Sequence, residues 1–117
     1  MQETKVVPTG RFPAVIVGIS RDPGAKIRNS YLIKAEISHG PYKGRQPRGY
    51  FPPLGVRDPR TGEALASMLG YEVKSSKDFD INDCIGTAVT IEVWSNGVNF
   101  HIDRILPEED AVEQEAA

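Results

Sequence analysis

The sequence is poor in the residue types that form disulfides, bind metals or cross a membrane. It contains one cysteine, Cys84, so no internal disulfide can form. Its two histidines, His39 and His101, are too few and too far apart for the usual metal-ligand clusters. The longest apolar runs are about seven residues, whereas a membrane-spanning helix needs about 20. The same features predict no metal, no cofactor and no membrane partner. Because no charged-then-apolar leader follows Met1, we expect a cytoplasmic protein.

Groups of residues typical of enzymes are also missing. No glycine-rich loop has the Lys-Ser/Thr ending that a phosphate-binding loop needs. Asp78, Asp80 and Asp83 lie close together, but no glycine or terminal glutamate completes a calcium loop around them. Cys84 is expected to be a small buried hydrophobe ahead of a strand rather than a nucleophile. We therefore predict that the protein is not an enzyme.

Glycine and proline, by contrast, are plentiful, with 11 and 9 among 117 residues. They divide the chain into short segments, which suits a β-rich fold better than a helix bundle. Apolar and polar residues alternate with a period of two in several of these segments, as in half-buried strands. The predicted strands are residues 12–19, 30–38, 46–51, 87–94 and 98–105.

The alternation also predicts which side chains point inward. In the second strand the predicted inner residues are Tyr31, Ile33, Ala35 and Ile37. In the fourth they are Val89, Ile91 and Val93, which leaves Thr90, Glu92 and Trp94 outside. The fifth strand is expected to follow an Asn96-Gly97 turn, with Val98, Phe100 and Ile102 on one face and His101 on the other.

One helix is predicted between the third and fourth strands. Thr61 is the expected N-cap, Gly70 the expected stop, and Leu65, Met68 and Leu69 form one apolar stripe. Three strands, a helix and a hairpin predict an all-β fold with one short helix: a five-stranded OB-fold barrel spanning residues 1–106. An SH3-like barrel is the main alternative, although it does not normally carry a helix at that point.

The net charge of −2 conceals a strong asymmetry along the chain. Residues 1–60 contain eleven Lys/Arg against four Asp/Glu, a net charge of +7, and residues 61–117 have three against twelve, a net charge of −9. Residues 107–117 hold five carboxylates and no base, and we expect this acidic C-terminal tail to be disordered. A basic half followed by an acidic tail suggests an anionic partner for the first and protein contacts for the second.

A protein that binds single-stranded nucleic acid without sequence preference needs cations along the path of the phosphate backbone and aromatic faces for the bases. OB-folds bind oligonucleotides on the outer face of strands two and three, where alternation places Lys34, Arg48 and Tyr50. Tyr31 and Phe51 are expected in the core. The predicted nucleic-acid-binding residues are Lys26, Arg28, Lys34, Lys43, Arg45, Arg48, Tyr50 and Trp94.

Several segments together resemble phage-encoded OB-fold single-stranded DNA-binding proteins. The resemblance covers residues 9–106 and is carried by residues 10–12, 31–37, 40–45, 65–70 and 82–87, with Tyr-Lys-Gly-Arg at 42–45 the most distinctive. It implies protection of single strands in phage replication or recombination, in the host cytoplasm. It also implies that the acidic tail recruits replication or recombination proteins, although many such tails end in an aromatic residue and this one ends at Ala117.

Two other functions agree with the same patterns. An OB surface can serve as a protein–protein adaptor or as a structural component without nucleic-acid binding, or it can bind oligosaccharides, which favours exposed aromatics over cations. Stacking and phosphate contacts serve DNA and RNA alike, so the sequence does not separate the two. Exposed strand edges would allow a homodimer.

Overall fold

Five antiparallel strands and one helix make up most of the computed structural model, which describes residues 6–54 and 58–109. The elements in chain order are β1 (Gly10–Asp22), β2 (Ser30–Ile37), β3 (Arg48–Phe51), α1 (Pro59–Leu69), a 3-10 turn (Ile81–Cys84), β4 (Ala88–Ser95) and β5 (Phe100–Pro107). The expectation of a mostly β fold with five strands and one helix is therefore confirmed.

The long strand β1 organises the sheet, whose strand order is β3-β2-β1-β4-β5. β1 has 13 residues and pairs with β2 along one edge and with β4 along the other. Its register with β2 shifts between Ile16 and Gly18, and such a bulge bends a strand and increases its twist. The sheet consequently curls into a half-barrel.

The core fills the inside of this curled sheet. The predicted inner residues of β2 and β4 are all buried, and Tyr31 and Phe51 are 1% and 0% exposed. Leu65 and Met68 of α1 join the same cluster, so the apolar stripe of the helix covers the core as its spacing predicted.

The two edge strands, β3 and β5, meet where the sheet curls round. Gly49 in β3 is buried, and a Cβ atom placed on it would lie 3.0 Å from the Cβ of Ile102 and closer still to the Ile102 carbonyl oxygen. Glycine inside a strand often marks such a close approach of two backbones. The absence of a side chain at Gly49 thus lets β3 lie against β5.

The start of α1 differs from the prediction. Asp58, not Thr61, is the N-cap, since its carboxylate accepts a 3.0 Å hydrogen bond from the Arg60 backbone N–H. Pro59 follows in the first turn, where a missing N–H costs nothing. Thr61 is instead buried inside the helix, and its hydroxyl donates a 2.6 Å hydrogen bond to the Pro52 carbonyl. The predicted end is confirmed, because Gly70 caps the helix with a φ of 84°.

Two predicted orientations in the β4–β5 hairpin are also wrong. Thr90 is buried rather than exposed, and its hydroxyl accepts a 3.1 Å hydrogen bond from the Glu109 backbone N–H. Val98 is 74% exposed because it lies in the turn, which spans four residues and closes through a hydrogen bond from the Asn96 N–H to the Asn99 carbonyl. β5 therefore begins at Phe100, two residues later than predicted.

The other strand bounds differ less. β1 extends beyond the predicted 12–19 at both ends because it pairs with two neighbours, and β3 begins only at Arg48. β5 continues to Pro107, the first residue of the predicted tail, and residues 110–117 of that tail lie outside the described residues. No helix in the described ranges is long and apolar enough to cross a membrane.

Replacing Gly49 by alanine should destabilise the fold. The added methyl group would press on the Ile102 backbone, and overpacking of this kind costs about 1–3 kcal/mol. Gly62 of α1 is the matched control, since a Cβ there meets nothing within 4 Å and alanine should stabilise a helix by about 0.5–1 kcal/mol. Urea unfolding of both variants would measure these changes, and an unchanged midpoint for Gly49→Ala would contradict the contact.

Candidate nucleic-acid interface

The outer surface of β2 and β3 presents two cations and an aromatic ring side by side. Lys34 of β2 is the cross-strand partner of Arg48, and Leu32 is the partner of Tyr50. Lys34, Arg48 and Tyr50 are all exposed, as alternation along the two strands predicted. Their role in binding stays a prediction.

The Lys34–Arg48 pair is unusual because like charges directly opposite each other destabilise a sheet. Neither side chain has a carboxylate within 4 Å among residues 6–54 and 58–109. On the other side of Lys34 its partner is Gly18, which has no side chain to cover it. An anion lying across β2 and β3 would contact both cations and relieve their repulsion.

Tyr50 is held in a defined orientation beside these cations. Its hydroxyl donates a 3.1 Å hydrogen bond to Asp22, and this bond to the carboxylate raises the pKa of Tyr50 above its usual value. Asp22 is itself fixed by a 2.9 Å hydrogen bond from the Gly24 N–H. About half of the Tyr50 side chain remains exposed, at 51%, so the ring offers a face on which a base could stack.

A cleft of about 480 Å³ adjoins Tyr50 between the β1–β2 loop and the start of α1. Lys26 from the loop lines it together with Tyr50, and so do Ile27 and Arg60. The charge of Arg60 is compensated by Asp58 at 2.8 Å and Asp103 at 3.3 Å. Of the predicted residues, the structure thus brings Lys26, Lys34, Arg48 and Tyr50 to neighbouring positions.

Three predicted cations lie elsewhere. Arg28 is exposed in the β1–β2 loop, and Lys43 is exposed in the β2–β3 loop at the opposite end of β2. Arg45 is half-buried, with its guanidinium carbon 5.7 Å from the centre of the Phe100 ring. Its Nε atom is buried and has no hydrogen-bond partner within the described part of the chain. None of the three directly borders the Lys34–Arg48 pair in the strand register.

Trp94 lies on β4, which β1 separates from β2 in the hydrogen-bonded sheet. Trp94 is 46% exposed, which agrees with the prediction that its side chain points outward. Its cross-strand partner is His101 of β5, and the two rings stack with centroids 5.2 Å apart at 30°. Both residues were expected outside, but their stacking depends on the β4–β5 register, which shifts between Glu92 and Val93 and could not be derived from the sequence.

Charge compensation differs between parts of the half-barrel. One arginine each of β1, α1 and β5 forms a close ion pair: Arg11–Glu92 at 2.8 Å, Arg60–Asp58 at 2.8 Å and Arg104–Glu63 at 2.7 Å. The six predicted cations have no such partner in residues 6–54 and 58–109. Among the described residues before Pro59, the cations without an ion pair therefore lie on β2, on β3 and in the adjoining loops, together with Arg21 of β1, whose Nε donates a 2.8 Å hydrogen bond to the Asn29 carbonyl.

The structure shows where the potential metal ligands and the single thiol lie. Among the described residues, no three His, Cys, Asp or Glu side chains are grouped so as to hold a metal ion. Cys84 is fully buried, as expected from its sequence context. Burial and the nearby carboxylates of Asp83 and Asp80 raise the pKa of its thiol to about 11, so the thiolate is scarce at neutral pH.

The chain matches no protein-family model, no curated protein and no solved structure. Function is therefore argued from the fold and from this surface.

Cys84 should resist thiol reagents while the protein is folded. At pH 8 we expect slow labelling by a chromogenic disulfide and rapid labelling once urea unfolds the chain, since the folded thiol is buried and protonated. Above about pH 9 the unfolded thiol loses its proton before the folded one, so stability should fall as pH rises. Cys84→Ala provides the blank, and fast labelling without urea would contradict the assignment.

Proposed function

We propose that this protein is an OB-fold protein that binds single-stranded DNA without sequence preference and without altering it chemically. The observation that carries the proposal is the uncompensated Lys34–Arg48 pair beside the fixed ring of Tyr50. The outer face of the second and third strands is where OB-folds bind oligonucleotides. Cations and an aromatic face together are what binding of a single strand needs.

Assignment to the OB-fold is supported by the strand order. β1 pairs with both β2 and β4, the edges β3 and β5 meet at Gly49 and Ile102, and α1 lies between β3 and β4 in the chain. A five-stranded, partly open barrel with these features is typical of the OB-fold.

In this proposal the phosphates of the strand lie along Lys34, Arg48 and Lys26, and one base stacks on Tyr50. Arg28, Lys43 and Arg45 add positive potential from the adjoining loops. A stacked base contributes about 1–3 kcal/mol. If about five phosphates are neutralised, the logarithm of affinity should fall with the logarithm of salt concentration at a slope near −3.5. Neither interaction distinguishes one base sequence from another.

The biological role that follows is protection of single strands during replication or recombination in the cytoplasm, which would be the host cytoplasm for a phage-encoded protein. The acidic tail would recruit replication or recombination proteins. Single-stranded RNA offers the same phosphates and base faces. Binding should therefore be measured with an RNA oligonucleotide as well as with a DNA oligonucleotide of the same length. Protein–protein adaptor function is the alternative that remains if neither nucleic acid binds.

Replacing Lys34 and Arg48 together by alanine should weaken binding and make its salt dependence less steep by about 1.4, since each lost phosphate contact removes about 0.7. Tyr50→Ala should cost about 1–3 kcal/mol of binding free energy, whereas Tyr50→Phe retains the stacking face. Both losses of affinity would be measured by fluorescence anisotropy with a labelled oligo-dT of ~30 nucleotides. This oligonucleotide is longer than the about 4–16 nucleotides that one OB-fold covers.

Lys74→Ala with Lys77→Ala is the matched control for that double variant. Both lysines are exposed, lie in the segment after α1 and form no ion pair with the described residues. Each double variant removes two positive charges, so the change in net charge is the same in both. An equal loss of affinity in the control pair would mean that only net charge matters. The proposal would be overturned if neither the full-length protein nor the variant with a shortened tail bound single-stranded oligonucleotides at low salt.

Shortening the tail should tighten DNA binding at low salt, because its carboxylates compete with phosphates for the basic surface. Residues 110–117 carry three carboxylates, and cutting after Glu109 keeps its backbone hydrogen bond to Thr90. The gain should shrink as added salt screens the charges. A full-length variant with Asp110→Asn, Glu113→Gln and Glu115→Gln separates charge from length, and unchanged affinity in both would contradict competition by the tail.

A further inference from the structure

The outer surface of β3 continues onto β5 where the two edge strands meet. Gly49 and Ile102 are both buried and lie against each other. Because successive side chains of a strand point to opposite faces, the residues next to this contact, Arg48 and Tyr50 in β3 and His101 in β5, point to the outside, and all three are exposed. Arg60 contacts Phe51 and Asp103, which independently brings the end of β3 next to β5.

The stacked Trp94 and His101 extend this surface by one more strand. His101 lies beside the Gly49–Ile102 contact, and its cross-strand partner is Trp94. Lys34 is the cross-strand partner of Arg48. A row of four outward side chains therefore crosses β2, β3, β5 and β4 in the order Lys34, Arg48, His101 and Trp94.

Trp94 is suited to bind a planar group. One side of its indole is occupied by the His101 ring at 5.2 Å, yet the side chain remains 46% exposed, an unusual state for so large an apolar surface. A ring already stacked on one side is held in place, so little side-chain freedom is lost when a second planar group stacks on the other.

The carboxylates near Trp94 do not leave the row negatively charged. Glu92 lies within 4 Å of both Arg11 and Arg104, and Asp103 is paired with Arg60. These ion pairs place compensated charge around the indole, so a phosphate passing from Arg48 toward Trp94 would meet no unpaired carboxylate of these two residues.

We propose that Trp94 and His101 form a nucleobase-stacking platform on the same path as Lys34 and Arg48. The single strand then crosses β2, β3, β5 and β4 in that order, with its phosphates on the cations of β2 and β3 and a base on the indole of β4. This inference rests on the proposed function, and it adds the path of the strand over the β3–β5 contact and a role for His101 in supporting the Trp94 ring.

Trp94 provides its own reporter because it is the only tryptophan in the chain. Unlabelled oligo-dT is titrated into the full-length protein at low salt while indole emission is followed, and labelled oligo-dT is followed by anisotropy under the same conditions. A base that stacks on the indole should quench its emission, with the same midpoint as the anisotropy change. This measurement requires no variant.

Variants test the energetic contribution of the platform. Trp94→Ala should weaken oligo-dT binding about 5- to 150-fold, the range expected for one stacked base, and Trp94→Phe should recover much of it. His101→Ala should weaken binding, whereas His101→Phe keeps a ring beneath the indole and should not. Tyr71→Ala is the matched control, since Tyr71 is 50% exposed but follows α1, away from the row.

The outcomes separate the inference from the proposed function. Binding that depends on Lys34 and Arg48 but leaves indole emission unchanged at saturation would overturn the platform and leave the proposed function standing. Equal effects of Trp94→Ala and Tyr71→Ala would also overturn it. Absence of oligo-dT binding by anisotropy would overturn the proposed function, and the platform with it. Quenching that is lost in parallel with affinity in the Lys34 and Arg48 double variant would support both.

Discussion

The approach of β3 to β5 at Gly49 is the constraint on which the remaining architecture depends. A side chain at this position would meet the Ile102 backbone and hold the two edge strands apart. With none there, the sheet can curl far enough for its concave side to enclose one core, which α1 completes through Leu65 and Met68. The same approach brings the outer surfaces of the edge strands together, so the candidate interface is not confined to β2 and β3.

Electrostatics then distinguishes one side of the barrel from the other. Three arginines form ion pairs that link β1 to β4 and α1 to β5: Arg11–Glu92, Arg60–Asp103 and Arg104–Glu63. Lys34 and Arg48 face each other without a described carboxylate partner. A sheet gains nothing in stability from such a pair, and this is the physical reason for proposing that it binds a phosphate backbone.

Much of the fold could be predicted from the sequence because period-two alternation is a local property. The inner faces of β2 and β4 and the outward positions of Lys34, Arg48 and Tyr50 were derived this way and confirmed. The end of α1 at Gly70, predicted from glycine as a helix stop, is also confirmed. The errors arose where a distant contact decides. Thr90 is buried, with its hydroxyl hydrogen-bonded to the Glu109 N–H where the chain returns. The helix start is different, since the local Asp58-Pro59 pair begins α1 and Thr61 inside it hydrogen-bonds to the distant Pro52 carbonyl.

The sequence by itself determined five strands and one helix, the separation of basic and acidic halves, and the outward side of the strand on which Lys34, Arg48, Tyr50 and Trp94 lie. These follow from side-chain chemistry and spacing within one segment. Only the tertiary structure decided which strands are neighbours, that Trp94 stacks on His101, and that Asp22 fixes the Tyr50 ring. Those relations depend on strand register and on the closure of the curled sheet, and both arise from contacts between residues far apart in the chain.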